Sequence, residues 1–139
     1  MIFEQVATGG CQSYLIGCGD TCAAALIDPE VRQIDRYRAL AAQHGVRIKY
    51  VIDTHTHADH FSATRQLGEA LDVPIVTHRL SPAPYPDLRI DEGDVIKVGN
   101  LRLAALYTPG HTRDSMSLVM ADRVFTGDTL LIGATGRTD

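Results

Sequence analysis

Between Thr54 and His60 the chain reads Thr-His-Thr-His-Ala-Asp-His, which places three imidazoles and a carboxylate within six positions. Neutral imidazole and carboxylate are the usual ligands of zinc and of non-haem iron. The stretch follows a short apolar run, Tyr50-Val51-Ile52, of the kind that forms a buried strand. In extended backbone the side chains at i and i+2 point the same way, so His55 and His57 would face one point. Asp59 and His60 follow as the chain turns and can reach that point from another side. A polar strand end on which histidines happen to gather is the competing reading. It would suit a single histidine far better than this cluster.

Two later stretches repeat the pattern of a strand that ends in a turn bearing one ligand type. Tyr107-Thr-Pro-Gly-His111-Thr carries a histidine after a Pro-Gly turn, and Phe125-Thr-Gly-Asp128 carries a carboxylate after a glycine. Alone, such turns more often supply a positive φ or a local hydrogen bond. Beside the first cluster, they read as further metal ligands on loops at strand ends, where sites gather. His44, at the end of a helical stretch, and His78, after Ile75-Val76, are read as structural histidines.

The elements that must position these residues follow from periodicity. Strands are expected over Phe3–Ala7, Gln12–Ile16 and Cys22–Ile27, an antiparallel meander with a Gly9-Gly10 turn. Ile34, Tyr37, Leu40 and Ala41 then recur at helical spacing, with Gly45 as the stop. A strand over Val46–Ile52 leads into the histidine cluster. A helix over Ser62–Leu71, with Ser62 as its N-cap, and a strand over Val73–Val76 complete a β-α-β-α-β run, which predicts parallel pairing. Residues 81–87, rich in proline, are expected to be irregular, and Asp91–Asp94 to turn. Short strands are expected over Val95–Val98, Leu101–Leu106, Met116–Met120 and Arg123–Phe125.

The whole composition fits a single globular domain of 139 residues, with 45% hydrophobic and 22% charged residues. A formal net charge of -4, without a basic run, speaks against nucleic acid and anionic lipid as partners. No apolar stretch approaches the ~20 residues of a membrane span. The N-terminus lacks a basic region followed by a long apolar segment, so the expected compartment is the cytoplasm, or an organellar matrix if a transit peptide has been removed. Cys11, Cys18 and Cys22 form neither a C-x-x-C pair nor a zinc knuckle and are read as reduced structural thiols.

Taken together, H-x-H-x-D-H, the Gly-His turn and the Gly-Asp turn resemble the metallo-β-lactamase superfamily. The resemblance implies an α/β fold, an αββα sandwich with metal in a groove at one edge of its two sheets. Over 1–139 it implies one such domain, its N-terminal half and part of the second. The closing Gly136-Arg137-Thr138-Asp139 is similar to the persulfide dioxygenase branch. That likeness implies one Fe(II) per chain held by His55, His111 and Asp128, open positions for substrate and O₂, and oxidation of glutathione persulfide to sulfite and glutathione. Arg137 would face the glutathione portion, where a guanidinium can hold a carboxylate. His57, Asp59 and His60 would then orient ligands or water. The alternative is a zinc-dependent glutathione thioester hydrolase of the glyoxalase II type. There His55, His57, His111 and Asp128 would hold one Zn(II), and Asp59, His60 and Asp128 a second. A β-lactam hydrolase has only the shared metal motif in its favour.

The chain departs from its likeness in two places. Family members continue well past the Gly-Arg-Thr-Asp stretch, and a late histidine of the second metal site would lie there. A half-sandwich exposes sheet edges and an apolar face. The expectation is therefore a piece of a longer protein, or a homodimer that buries that face. A non-catalytic metal-binding fragment that assembles in this way is the reading from a different class. The other departure is Thr112-Arg113-Asp114-Ser115, where many members have Thr-Pro-Gly-Ser; a type I turn remains open to it.

Overall fold

The computed structural model describes residues 1–7, 12–55, 61–84, 86–108, 114–121, 123–125, 130–131 and 134–135. Strands β1 (Ile2–Ala7), β2 (Gln12–Cys18) and β3 (Ala23–Ile27) form the expected antiparallel meander. A single 3-10 turn, Val31–Gln33, leads into helix α1 (Ile34–His44). Then come β4 (Arg47–Ile52), helix α2 (Phe61–Leu71), β5 (Ile75–His78) and β6 (Leu88–Ile90). The pairs β3–β4, β4–β5 and β5–β6 are parallel, so these strands all end at one edge of the sheet. β1 to β6 lie side by side in chain order.

The second sheet is antiparallel. It contains β7 (Val95–Val98), β8 (Leu101–Tyr107), β9 (Met116–Val119) and β10 (Val124–Phe125), in the order β10-β9-β8-β7. A short hairpin, β11 (Leu130–Leu131) with β12 (Ala134–Thr135), follows.

Side-chain alternation places the layers. In β3, Ala24 and Leu26 pack with Tyr37, Leu40 and Leu67 of the helices, whereas Ala25 and Ile27 pack with Leu103, Leu118 and Phe125 of the second sheet. A strand covered on both faces needs a continuous apolar run, and Ala23-Ala-Ala-Leu-Ile27 is one. Helices, first sheet and second sheet thus make three layers of the α/β sandwich. On the outer face of the second sheet Val95, Leu106 and Val124 are 38%, 43% and 47% exposed.

Both helices stop in left-handed residues. Gly45 has φ 66°, and Val46 N–H donates to Ala41 O at 2.9 Å. Asp72 has φ 54°, and Val73 N–H donates to Gly68 O at 3.1 Å. These are Schellman closures, which satisfy the last carbonyls. The second one moves β5 from its expected start at Val73 to Ile75, because Val73 is still closing the helix. Ser62 does not cap α2. The helix already includes Phe61, and an N-cap must have non-helical backbone. The Gly9-Gly10 turn and Cys11 lie outside the described residues, as do Thr112 and Arg113 of the expected type I turn.

Cys18 and Cys22 are both free thiols. Cys18 is buried, and its thiol is lowered to about 7 by the Thr21 hydroxyl and then by the backbone N–H of Asn100. Its turn packs closely on the β7–β8 turn: a Cβ on Gly99 would lie 1.9 Å from Thr21 Oγ1. Among the described residues no helix is long and apolar enough to cross a membrane.

Candidate metal centre

The edge at which β3, β4, β5 and β6 end carries Asp28, Thr54, His55 and His78. At the end of β3 the backbone turns into the left-handed region at Asp28, φ 52°, a conformation that Asp tolerates better than most residues. Asp28 N–H donates to Ile52 O at 2.8 Å, which keeps the two strand ends level. Its carboxylate then receives Thr54 N–H on Oδ1 at 2.8 Å and the Thr54 hydroxyl on Oδ2 at 2.6 Å. Asp53 N–H donates to Val76 O at 3.0 Å and fixes the other side of the same turn.

Thr54 passes this order on to His55. A threonine hydroxyl has one proton, and here it goes to Asp28. The second contact of Thr54 Oγ1, to His55 Nδ1 at 3.1 Å, therefore has the ring as donor. This assigns the Nδ1–H tautomer to His55 and leaves the lone pair on Nε2. A metal-binding imidazole needs that arrangement, with the far nitrogen bonded to an outer partner that fixes tautomer and orientation. His55 is 6% exposed, so its ring sits away from bulk water. At the one proposed ligand that the structure describes, the donor chemistry suits iron or zinc. His57, Asp59, His60, His111, Asp128 and Arg137 lie outside the described residues.

The strand ends that lead to His111 and Asp128 are described, and both point to the Thr54 turn. Met116 N–H donates to Thr54 O at 2.8 Å, tying the second sheet to that turn. Tyr107, the last residue of β8, is opposite Met116. Thr108 N–H donates to Ser115 O at 3.0 Å, and Thr108 Oγ1 is 3.1 Å from Ser117 Oγ. The segment that contains His111 is thus pinned at its two feet. β10 pairs through Val124 with Val119 and through Phe125 with Leu118. It therefore runs toward the Met116 end of β9, and the chain continues from there to Asp128.

The remaining histidines have partners elsewhere. His44 Nε2 is 2.9 Å from Glu4 Oε1, joining the end of α1 to β1. His78 is buried at the end of β5 and stacks on Tyr107. Asp28 is the residue of this turn that the sequence did not disclose. Its signal, an Asp-Pro directly after an apolar run, reads as a simple strand end. Only the pairing of Ile27 with Ile52 reveals that Asp28 reaches Thr54.

The sequence matches the Metallo-beta-lactamase superfamily over residues 6–139. It is 40% identical over 130 residues to the persulfide dioxygenase ETHE1, mitochondrial, of Mus musculus, covering 91% of this chain and 51% of that protein. A hydroxyacylglutathione hydrolase of Anaeromyxobacter dehalogenans is 37% identical over 138 residues, covering 98% of this chain and 52% of that protein. The chain thus spans about half the length of these curated relatives. Among solved structures, ETHE1 from Myxococcus xanthus superposes with a TM-score of 0.90 at 41% identity, over 100% of this chain and 62% of that one.

Proposed function

Because the chain belongs to the metallo-β-lactamase superfamily, we propose that it carries the centre of a non-haem iron enzyme that oxidises glutathione persulfide with O₂ to sulfite and glutathione. The observation that carries this reading is the likeness to ETHE1 proteins, at 40% identity over 91% of the chain and 41% over all of it. The Gly136–Asp139 stretch supports the same branch.

Bound iron would supply open positions for a sulfur and for O₂, and the redox chemistry that joins them. The chain's own residues do the rest. His55 would hold the metal through Nε2 while Thr54 keeps its Nδ1 proton in place. Asp28 anchors Thr54 by two hydrogen bonds, so the oxygen that holds the ring at Nδ1 is itself fixed in place. His111 and Asp128 would complete a face of two histidines and one carboxylate. Arg137 would clamp a carboxylate of the glutathione portion. His57, Asp59 and His60 would order water and ligands around that face.

A second reading, the zinc-dependent hydrolase of glutathione thioesters, is favoured by the 37% identity to a hydroxyacylglutathione hydrolase over 98% of the chain. There His57, Asp59 and His60 become metal ligands. One experiment separates the two. Protein loaded anaerobically with iron is given glutathione persulfide, and O₂ uptake and sulfite are followed; matched uptake and sulfite are expected. Zinc-loaded protein is given a glutathione thioester in parallel. Iron bound without uptake overturns the dioxygenase reading, and thioester hydrolysis in its place establishes the second. Metal binding without either activity points to a non-catalytic assembly fragment.

A further inference from the structure

His78 is the last residue of β5, and its side chain is 1% exposed. Its Nδ1 accepts Leu80 N–H at 3.1 Å, so the neutral ring carries its proton on Nε2. That buried Nε2–H has no hydrogen-bond acceptor among the described residues. The nearest charge is Asp91 Oδ1 at 3.5 Å, and Asp91 is itself engaged by Glu92 N–H and by Arg79 Nε–H, each at 2.7 Å. An orphaned buried donor is costly and calls for a reason. Packing alone does not supply one, since an aliphatic residue would fill the space without stranding a proton.

The ring plane supplies the reason. His78 lies flat on Tyr107, with centroids 4.5 Å apart and planes 8° from parallel. Tyr107 is also gripped through its backbone, whose N–H donates to Glu92. It is the last residue of β8, and Thr108 after it closes onto Ser115 around the segment that contains His111. Leu80 N–H holds the imidazole on one side, and the imidazole face holds the Tyr107 ring.

We propose that His78 is a positioning residue for the metal centre, which sets the departure of the chain toward His111 through its stack on Tyr107. This rests on His111 being a ligand, as in the function proposed above. The aromatic face, rather than the charge, is what the position requires.

The test reads metal affinity and the visible absorption of bound Co(II), without any turnover. Zn(II) and Co(II) are titrated against a chromophoric chelator in the wild type and in His78→Leu, His78→Phe, Tyr107→Leu, Leu67→Ala and His55→Ala. His78→Leu and Tyr107→Leu should each weaken binding by about tenfold and alter the Co(II) spectrum, while His78→Phe stays within about threefold of wild type. Leu67→Ala, a truncation in the helix-side core, should lose stability but keep affinity and spectrum. His55→Ala should abolish binding. Wild-type affinity and spectrum in His78→Leu and Tyr107→Leu, with His55→Ala inactive in binding, would overturn the positioning role alone. An equal loss in Leu67→Ala would overturn it too, by tracing the effect to general destabilisation. Unchanged binding in His55→Ala would overturn the metal-centre reading and this inference with it.

Discussion

Thr54 Oγ1 donates its one proton to Asp28 Oδ2 across 2.6 Å and receives His55 Nδ1–H across 3.1 Å. The hydroxyl therefore joins the fold to the proposed metal ligand, and Thr54→Val breaks that link. Valine keeps the shape but leaves the buried carboxylate with one donor fewer. A hydrogen bond to a charged group contributes about 1.5–3 kcal/mol, so a stability loss of that size is expected in urea unfolding. The His55 tautomer would no longer be held, and Zn(II) affinity should fall by about tenfold or more. Thr54→Ser should restore both. A valine variant that binds metal like the wild type would disprove the link from Asp28 to His55.

Helix α2 touches the sheet through Gly68, and here two effects oppose each other. Alanine is favoured over glycine inside a helix by about 0.8–1.0 kcal/mol. A Cβ at Gly68, however, would lie 2.6 Å from Ile75 Cγ1, a branch with no freedom to withdraw in a covered strand. Overpacking of this kind costs about 1–3 kcal/mol, so the clash outweighs the propensity gain. Gly68→Ala should lower the unfolding midpoint, and adding Ile75→Val, which deletes the Cδ1 that would lie 2.7 Å from the new Cβ, should recover part of the loss. A stabilised single variant would show that α2 can shift outward freely.

The Cys18 thiol is lowered to about 7, first by the Thr21 hydroxyl and then by the N–H of Asn100. In the unfolded chain a thiol titrates near ~8.5. The folded state therefore releases this proton more readily than the unfolded state. Its contribution is fully present above the unfolded pKa and is lost as pH falls through the folded one. The stability difference between wild type and Cys18→Ala should accordingly grow in favour of the wild type from pH 7 to pH 9, measured by urea unfolding under reducing conditions. A difference that stays flat over that range would remove the thiolate cradle.

Local pattern explains which parts of this architecture could be read without coordinates. The strand Val95–Val98 alternates exposed and buried along its four residues, and the period-2 signal is in the residue types themselves. The histidine pattern from His55 to His60 is an equally local signal in the sequence, and of its residues His55 is the one that the structure describes. Two features were hidden because their cause is non-local. β6 consists of Leu88-Arg89-Ile90 after a proline-rich stretch, and it is a strand because it pairs in parallel with β5. Arg89 adds to this by donating to the carbonyls of Ser81 and Ala83. Asp28 gains its role only from the register of β3 on β4, which no window of sequence around it contains.

The same edge of the sheet offers a prediction on the acid side. Glu92 N–H, then Arg79 and His78, hold the Asp91 carboxyl below the usual carboxylate range. The unfolded chain then binds the proton more readily than the folded one. The stabilisation is complete above the unfolded value of ~3.9 and disappears as pH drops through the lowered folded value. Asp91→Asn removes the titration but keeps the size of the side chain, and an amide oxygen can still accept Glu92 N–H. At pH 6 the wild type should be the more stable of the two; by pH 3 the gap should have narrowed as the wild-type carboxyl protonates. Urea midpoints for both proteins at pH 6, 4.5 and 3 give the comparison. A gap that widens toward pH 3 would mean that Asp91 is strained in its charged form, and that Arg79 and His78 do not hold it.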